Sequence, residues 1–334
     1  MDIHTKISLI GNKKISEQIS MAVISSIKRN KALPHMLLSG TPGCGKTSTA
    51  QEISKLRDVE TITLLNNSLK SKQSINDIVY KLNYENYDDK GNRVGPIKPT
   101  ILFIDEIHRL SLETQEILGV LMENFYIDSD TPGKIFWIPY FTLVGATTDD
   151  GKLSKPFRDR FKLLFNFNPY DYDTSIQIIK YHAKKMNIKI TIDGIKEIAK
   201  RGKGIPRIMI RYIENIRDFS FTINTSLITR KVVENCFNLI GIDSNGLSFI
   251  ELKLLKILSK TNEAIGLDSL SIALNESKKT LTDTIEPYLI QKQLMNRTGK
   301  GRTITTEGLN YLSQSNLAGK MTIKKEIDVN YTRV

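Results

Sequence analysis

The sequence predicts an α/β protein in which a parallel-sheet domain with a phosphate-binding loop is followed by a small α-helical domain and a winged helix. Three observations carry this expectation. Short apolar runs alternate with helical stretches through the first half, as a parallel sheet requires. The middle of the chain shows helical periodicity alone, and near residue 300 a basic strand–turn–strand follows three helical segments. A chain of 334 residues is also longer than one core usually organises. We place the boundaries at 1–168, 169–243 and 244–316, with a tail over 317–334.

Composition narrows the class. The chain is 40% apolar and 25% charged, and it lacks an apolar run long enough to span a bilayer. No cationic segment followed by an apolar stretch opens it, so a secretory signal is not expected. Cys44 and Cys236 lie far apart outside any C-x-x-C pair and read as reduced thiols of a cytoplasmic protein. The formal charge of +12 favours an anionic partner such as nucleic acid.

The first element is the apolar run His35–Ser39, a buried strand. It leads into Gly40, Thr41, Pro42, Gly43, Cys44, Gly45, Lys46 and Thr47, a full match to G-x-x-x-x-G-K-[ST], and Ser48 onward continues as a helix. Glycines let backbone N–H groups turn around phosphate oxygens, and the helix N-terminus adds partial positive charge. Lys46 is expected to reach the β- and γ-phosphates of ATP, and the Thr47 hydroxyl to ligand Mg²⁺. Cys44 occupies a variable position and is given no role. A strand near 59–65 comes next, then Thr100–Ile104, which ends in Asp105 and Glu106. Paired acids after such a loop suit hydrolysis: Asp105 for the metal through water, Glu106 for the attacking water. Leu118, Leu121, Met122 and Phe125 recur at helical spacing and read as core.

The strand Phe141–Ala146 ends at Thr147 and Thr148, where ligands of a parallel sheet sit. Arg158 and Arg160 flank Asp159 before a fifth strand over 161–167; taken alone they read as a solvated charge cluster. Gly204-Ile205-Pro206-Arg207 opens a helix, and an arginine there opposes the helix dipole unless an anion is near. After a polar linker at Gly241–Gly246, helices are expected around Ile250–Leu258, Leu267–Leu274 and from an N-cap at Ser277, the last kinked or shortened by Pro287. Leu294–Thr305 reads as a basic hairpin carrying Arg297, Lys300 and Arg302, able to reach DNA phosphates. A basic turn on a protein-docking module remains the other reading.

The motif Gly40–Thr47, the run Ile101–Leu110, Phe141–Thr148, Gly204–Arg207 and Glu286–Gln291 together resemble the RuvB family of AAA+ ATPases, from Ile10 to about Leu312. The resemblance implies an ATP hydrolase coupled to DNA translocation: a helicase-type motor for branch migration of Holliday junctions in DNA recombination and repair. It implies that Arg160 is an arginine finger serving a neighbouring subunit, with Arg158 as helper, in a homo-hexameric ring on branched double-stranded DNA. Thr148 aligns with the first sensor and Arg207 with the second; Tyr170 lies beside the nucleotide, and Ile10 and Gly11 near adenine. The family uses the basic hairpin on DNA. A clamp-loader-like or replication-associated AAA+ ATPase remodelling protein on DNA, and a nucleotide-switched scaffold, remain the alternatives.

This sequence departs from the family at several places. A polar stretch over 84–92 looks inserted, Asp149 stands where an arginine is usual, and Glu123-Asn124 replaces an acidic pair. The hairpin over 126–137, with its Pro132-Gly133 turn, is shortened, which leaves both a retained RuvA-type partner and a missing or altered one open. Trp137 within it is either a partner anchor or core.

Overall fold

The computed structural model describes residues 9–29, 31–64, 100–128, 135–137 and 140–314. The stretch 84–92, the Pro132-Gly133 turn and the tail 317–334 lie outside the described residues. The chain packs as two compact units: one holds the described residues through His182 together with Gly204–Ile210, the other Ala183–Lys203 and the described residues from Arg211 onward.

The first unit begins with α1 (Lys13–Lys28), then β1 (Met36–Gly40), α2 (Lys46–Arg57), β2 (Thr61–Leu64) and β3 (Thr100–Ile104). After a 3₁₀ turn at Ile107–Arg109 come α3 (Leu112–Asn124), β4 (Tyr126–Asp128), β5 (Ile135–Trp137) and β6 (Phe141–Ala146). The short α4 (Lys155–Asp159), β7 (Leu163–Phe167) and α5 (Tyr172–Lys185) follow. Five strands form a parallel sheet in the order β2-β3-β6-β1-β7.

Period-two alternation explains why this sheet is buried on both sides. Leu37, Leu102, Ile104 and Leu143 pack with Leu118, Leu121 and Phe157. Their neighbours Met36, Leu38, Ile101, Phe103 and Val144 pack with Ile19, Val23, Ala50 and Ile53. The carboxyl ends of β3, β6 and β1, adjacent in the sheet, therefore bring Asp105, Thr147 and Gly40 to one edge. His35 stitches that framework together below β1. Its Nδ1 accepts from the Leu143 N–H (2.8 Å), so its Nε2–H donates to the Met122 carbonyl (3.1 Å).

In the second unit, α6 (Ile192–Arg201) is capped by Thr191, which accepts from the Gly194 N–H, and α8 (Arg230–Leu239) packs with it. Between them in sequence lies α7 (Pro206–Thr222). Then come α9 (Phe249–Leu258), with a Ser248/Glu251 capping box, and α10 (Leu267–Leu274). Ser277 caps the next helix as its sequence predicts. That helix is not simply kinked at Pro287: α11 (Lys278–Thr280) widens into a π segment, Leu281–Ile285, before α12 (Glu286–Gln291). Proline lacks an N–H for the Asp283 carbonyl and its ring crowds that turn, and a π bulge absorbs both. The hairpin β8 (Met295–Thr298) and β9 (Gly301–Ile304) completes a winged helix over a core of Leu254, Leu258, Leu270, Leu281, Leu289 and Met295.

Candidate active site and nucleic-acid interface

The loop between β1 and α2 takes its shape from glycines in left-handed backbone conformations, Gly40 (φ 116°), Gly43 (φ 79°) and Gly45 (φ 99°). Its carbonyls are engaged along its length. Gly40 and Thr41 accept from Lys46 Nζ (2.7 and 3.1 Å), Gly43 from the Arg207 N–H (3.2 Å), Cys44 from the Tyr170 hydroxyl (3.1 Å) and Gly45 from the Thr49 N–H (2.9 Å). With the carbonyls so occupied and no side chain capping α2, the N–H groups at the start of that helix are the donors left for a ligand. Thr47 and Ser48 are exposed there, whereas Lys46 is only 7% exposed and burial lowers its pKa.

This arrangement fits a nucleoside triphosphate. An ammonium held by two neutral carbonyls is a cation that an incoming phosphate can recruit. Added Cβ atoms would close the cradle: at Gly43 one would fall 2.7 Å from the Arg207 Cβ, and at Gly40 one 2.3 Å from the Phe167 carbonyl oxygen. Thr47 and Asp105 carry a hydroxyl and a carboxylate, hard oxygen donors of the kind that could hold Mg²⁺. Among the described residues no cluster of three or more His, Cys, Asp or Glu competes for it.

Tyr170 covers the loop from the other side. Its hydroxyl also accepts from Asn12 Nδ2 (2.5 Å), and burial raises its pKa to about 12. Gly11 (φ 83°) packs so closely that an added Cβ would lie 2.8 Å from the Tyr170 ring, which places Ile10-Gly11 against it. Cys44 is buried in the core, its thiol pushed up to about 11 by burial.

Glu106 follows β3 in a left-handed conformation (φ 52°), rare for a residue with a side chain and a conformation that clusters at functional sites. Its Oε2 accepts from the Thr148 hydroxyl at 3.4 Å and lies 3.3 Å from His108 Nε2 and 3.8 Å from Arg109 Nη2. His108 Nδ1 sits 2.9 Å from the Thr147 hydroxyl, whose oxygen also accepts from the Asp149 N–H. A carboxylate only accepts, so the consistent assignment has His108 Nε2–H donating to Glu106 and the Thr147 O–H donating to Nδ1. Burial, the larger effect, lowers the His108 pKa against the opposing pull of Glu106. Asp149, at the usual arginine position, pairs with Lys152 at 2.9 Å.

The arginines fall into two sets. Arg207, in the first turn of α7, is joined to the loop at Gly43. Arg158 and Arg160 leave the end of α4 and meet partners within this chain instead. Arg158 pairs with Asp150 (2.9 Å); Arg160 lies along α3 over Gly119, with Nε 3.1 Å from Glu123 and Nη1 donating to the Pro156 carbonyl (2.8 Å). The β4–β5 hairpin pairs Tyr126 with Trp137 and Asp128 with Ile135.

On the wing, Arg297 and Lys300 are exposed. Arg302 is not: it is 6% exposed and makes a bidentate pair with Glu286, Nε to Oε1 at 2.7 Å and Nη2 to Oε2 at 3.1 Å. The expectation that it reaches phosphates gives way to an internal role, because its hydrogen-bonding edge is already filled. Asn12, His108, Thr147 and Glu286 have contacts that the sequence reading did not foresee. None had a local signal: Arg297 and Arg302 share one face of the hairpin, yet only Arg302 is buried.

Comparison with known proteins matches three family models along the chain. They are the Holliday junction DNA helicase RuvB P-loop domain (residues 4–167), the RuvB AAA lid domain (170–243) and the RuvB C-terminal winged helix domain (244–313). The chain belongs to the RuvB family. It is 35% identical over 309 residues to the Holliday junction branch migration complex subunit RuvB of Wolbachia sp. subsp. Brugia malayi (strain TRS), covering 91% of this chain and 90% of that one. The Campylobacter hominis subunit of the same name is 35% identical over 326 residues, with 96% and 91% covered. Among solved structures, the Thermotoga maritima RuvB Holliday junction branch migration motor superposes with a TM-score of 0.77 at 32% identity, covering 91% of this chain and 95% of that one. The fold is thus that of a RuvB-type AAA+ ATPase with its lid and winged helix.

Proposed function

We infer that this protein is an ATP-dependent DNA motor that drives branch migration of Holliday junctions in recombination and repair. The observation that carries the reading is the joining of Lys46, Arg207 and Tyr170 to one phosphate loop, beside Glu106 held by Thr148, in a chain that matches the RuvB family models between residues 4 and 313.

The loop N–H groups and Lys46 bind the β- and γ-phosphates, and Arg207, whose backbone N–H bonds the Gly43 carbonyl and whose side-chain stem lies beside Gly43, adds a second cation. Thr47 and Asp105 would hold Mg²⁺, which would supply neutralisation of charge on the phosphate oxygens. Glu106 orients and deprotonates the attacking water, and Thr148 senses the γ-phosphate end. Thr148 and His108 both meet Oε2 of Glu106 and so orient its carboxylate. Arg160, with Arg158, completes the site of a neighbouring copy in a homo-hexameric ring; an arginine supplied in trans typically raises turnover by about 10³–10⁵. Arg297 and Lys300 carry branched DNA, and the 1–168, 169–243 and 244–316 divisions serve hydrolysis, sensing and DNA contact. A RuvA-type partner is tested rather than assumed.

The experiment is ATP-dependent separation of a synthetic four-way junction by the purified protein, with Lys46→Ala as control, with and without a RuvA-type protein. Separation by the parent and not by Lys46→Ala is expected. DNA-stimulated ATP hydrolysis without separation in either condition would replace the junction reading with remodelling of protein on DNA.

A further inference from the structure

The wing holds a charge placed where no nucleic acid can use it. In the β8–β9 register Arg297 stands directly opposite Arg302, on the face shared with buried Met295. Two arginines opposite one another repel unless one is neutralised. Glu286, 1% exposed at the start of α12, does this by taking both donors of the Arg302 guanidinium. The backbone of Arg302 is held as firmly, since its N–H and C=O both bond Ile265 at 2.9 Å. Beside it, Gly301 (φ 146°) would bring a Cβ within 2.5 Å of the Ile265 carbonyl oxygen, so the strand is pressed against that segment.

We propose that Arg302 and Glu286 form a positioning pair that fixes the wing on α12 and leaves Arg297 and Lys300 as its DNA-contacting cations. The proposal rests on the DNA reading of the winged helix given above. The pair acts through geometry. It locks the register of β9, removes the repulsion facing Arg297, and so presents the two exposed cations at a set angle to the phosphate backbone. A bidentate pair this deep is specific to arginine, because lysine has no planar fork.

The salt dependence of binding separates positioning from phosphate contact, since each neutralised phosphate adds about 0.9 to the slope of log K against log salt. Affinity of the full chain for a fluorescent four-way junction is measured across a salt series, well below each variant's unfolding temperature, where stability alone leaves affinity unmoved. Arg297→Ala and Lys300→Ala should each reduce the slope by about one unit; if neither does, the winged-helix DNA reading itself fails. Glu286→Gln should weaken binding several-fold at unchanged slope. Tighter binding with a steeper slope would mean that Arg302, once freed, contacts phosphate, and would overturn the proposal. Arg302→Lys, which keeps the charge, should also weaken binding several-fold at unchanged slope; parental affinity would equally overturn it. Replacing both partners, Glu286→Leu with Arg302→Met, keeps the test open if single variants misfold. An unchanged slope supports positioning, and a loss of about one unit refutes it.

Discussion

His35 shows how one side chain can tie a framework together and limit it. Its ring lies against Phe141 (5.6 Å) and Phe125 (6.4 Å), with one nitrogen accepting from Leu143 and the other donating to Met122. Burial, opposed only partly by the Met122 bond, lowers its pKa from the ordinary 6.5. As pH falls below 6.5 the unfolded chain takes up this proton first, so the folded state loses stability; above 6.5 both forms are neutral and the group contributes no slope. The denaturant midpoint of the first unit should therefore fall on acidification below 6.5, and more shallowly in His35→Gln. Equal slopes in parent and variant would exclude His35 as the cause. The phosphate loop was legible at this scale because glycine spacing is a backbone requirement. The surroundings of Glu106 were not, since Thr148 meets it, and Thr147 meets the neighbouring His108, only when β3 and β6 lie side by side.

Among the elements, α3 is built around a missing side chain. Ser111 caps it, Leu118, Leu121 and Met122 bury one stripe, and Gly119 leaves the groove in which Arg160 lies. An alanine Cβ there would come within 3.1–3.2 Å of Arg160 Cδ, Nε and Cζ. The flexible arginine, rather than the helix backbone, would give way. Alanine in a helix interior typically gains about 0.5–1 kcal/mol over glycine. Gly119→Ala should thus leave Tm unchanged or higher while reducing ATP turnover, because Arg160 leaves the line set by Glu123 and Pro156. Parental turnover would show that this resting line has no bearing on Arg160 in catalysis. The sequence put both arginines just before a strand, and the structure adds the short helix at whose end they stand and the groove that receives one. The π segment before Pro287 was also beyond pattern reading, since proline forbids an ordinary helix there but does not choose among bend, break and bulge.

At the scale of the molecule, the second unit is held by buried charge as well as by its core. Lys203 Nζ lies 2.6 and 2.7 Å from the two Glu251 oxygens and 4.3 Å over the Tyr288 ring, both partners being largely buried. Glu251 meanwhile caps α9 through Ser248. Removing one member of a buried pair costs about 3–5 kcal/mol, because the other charge stays buried without its partner. Lys203→Met should lower the Tm of the transition carrying this unit by several degrees, and adding Glu251→Leu should recover much of the loss. A loss that persists in the double variant would point to the Ser248 cap, which Glu251 also holds, or to the Tyr288 contact. Among the described residues no helix is long and apolar enough to cross a membrane.

The sequence by itself determined the parallel sheet, the order of its elements, the phosphate loop, the acidic pair and the basic hairpin. Each is set by a local rule: alternation, glycine placement, or charge at a strand end. Only the tertiary structure decided which charges are free to act. Arg302 and Arg297 look equivalent in a basic hairpin, yet one is closed off by Glu286, sixteen residues earlier, and the other is left in solvent. Likewise Arg158 turns to Asp150 and Arg160 to Glu123. Pairing depends on three-dimensional proximity and burial, and neither is written in local spacing.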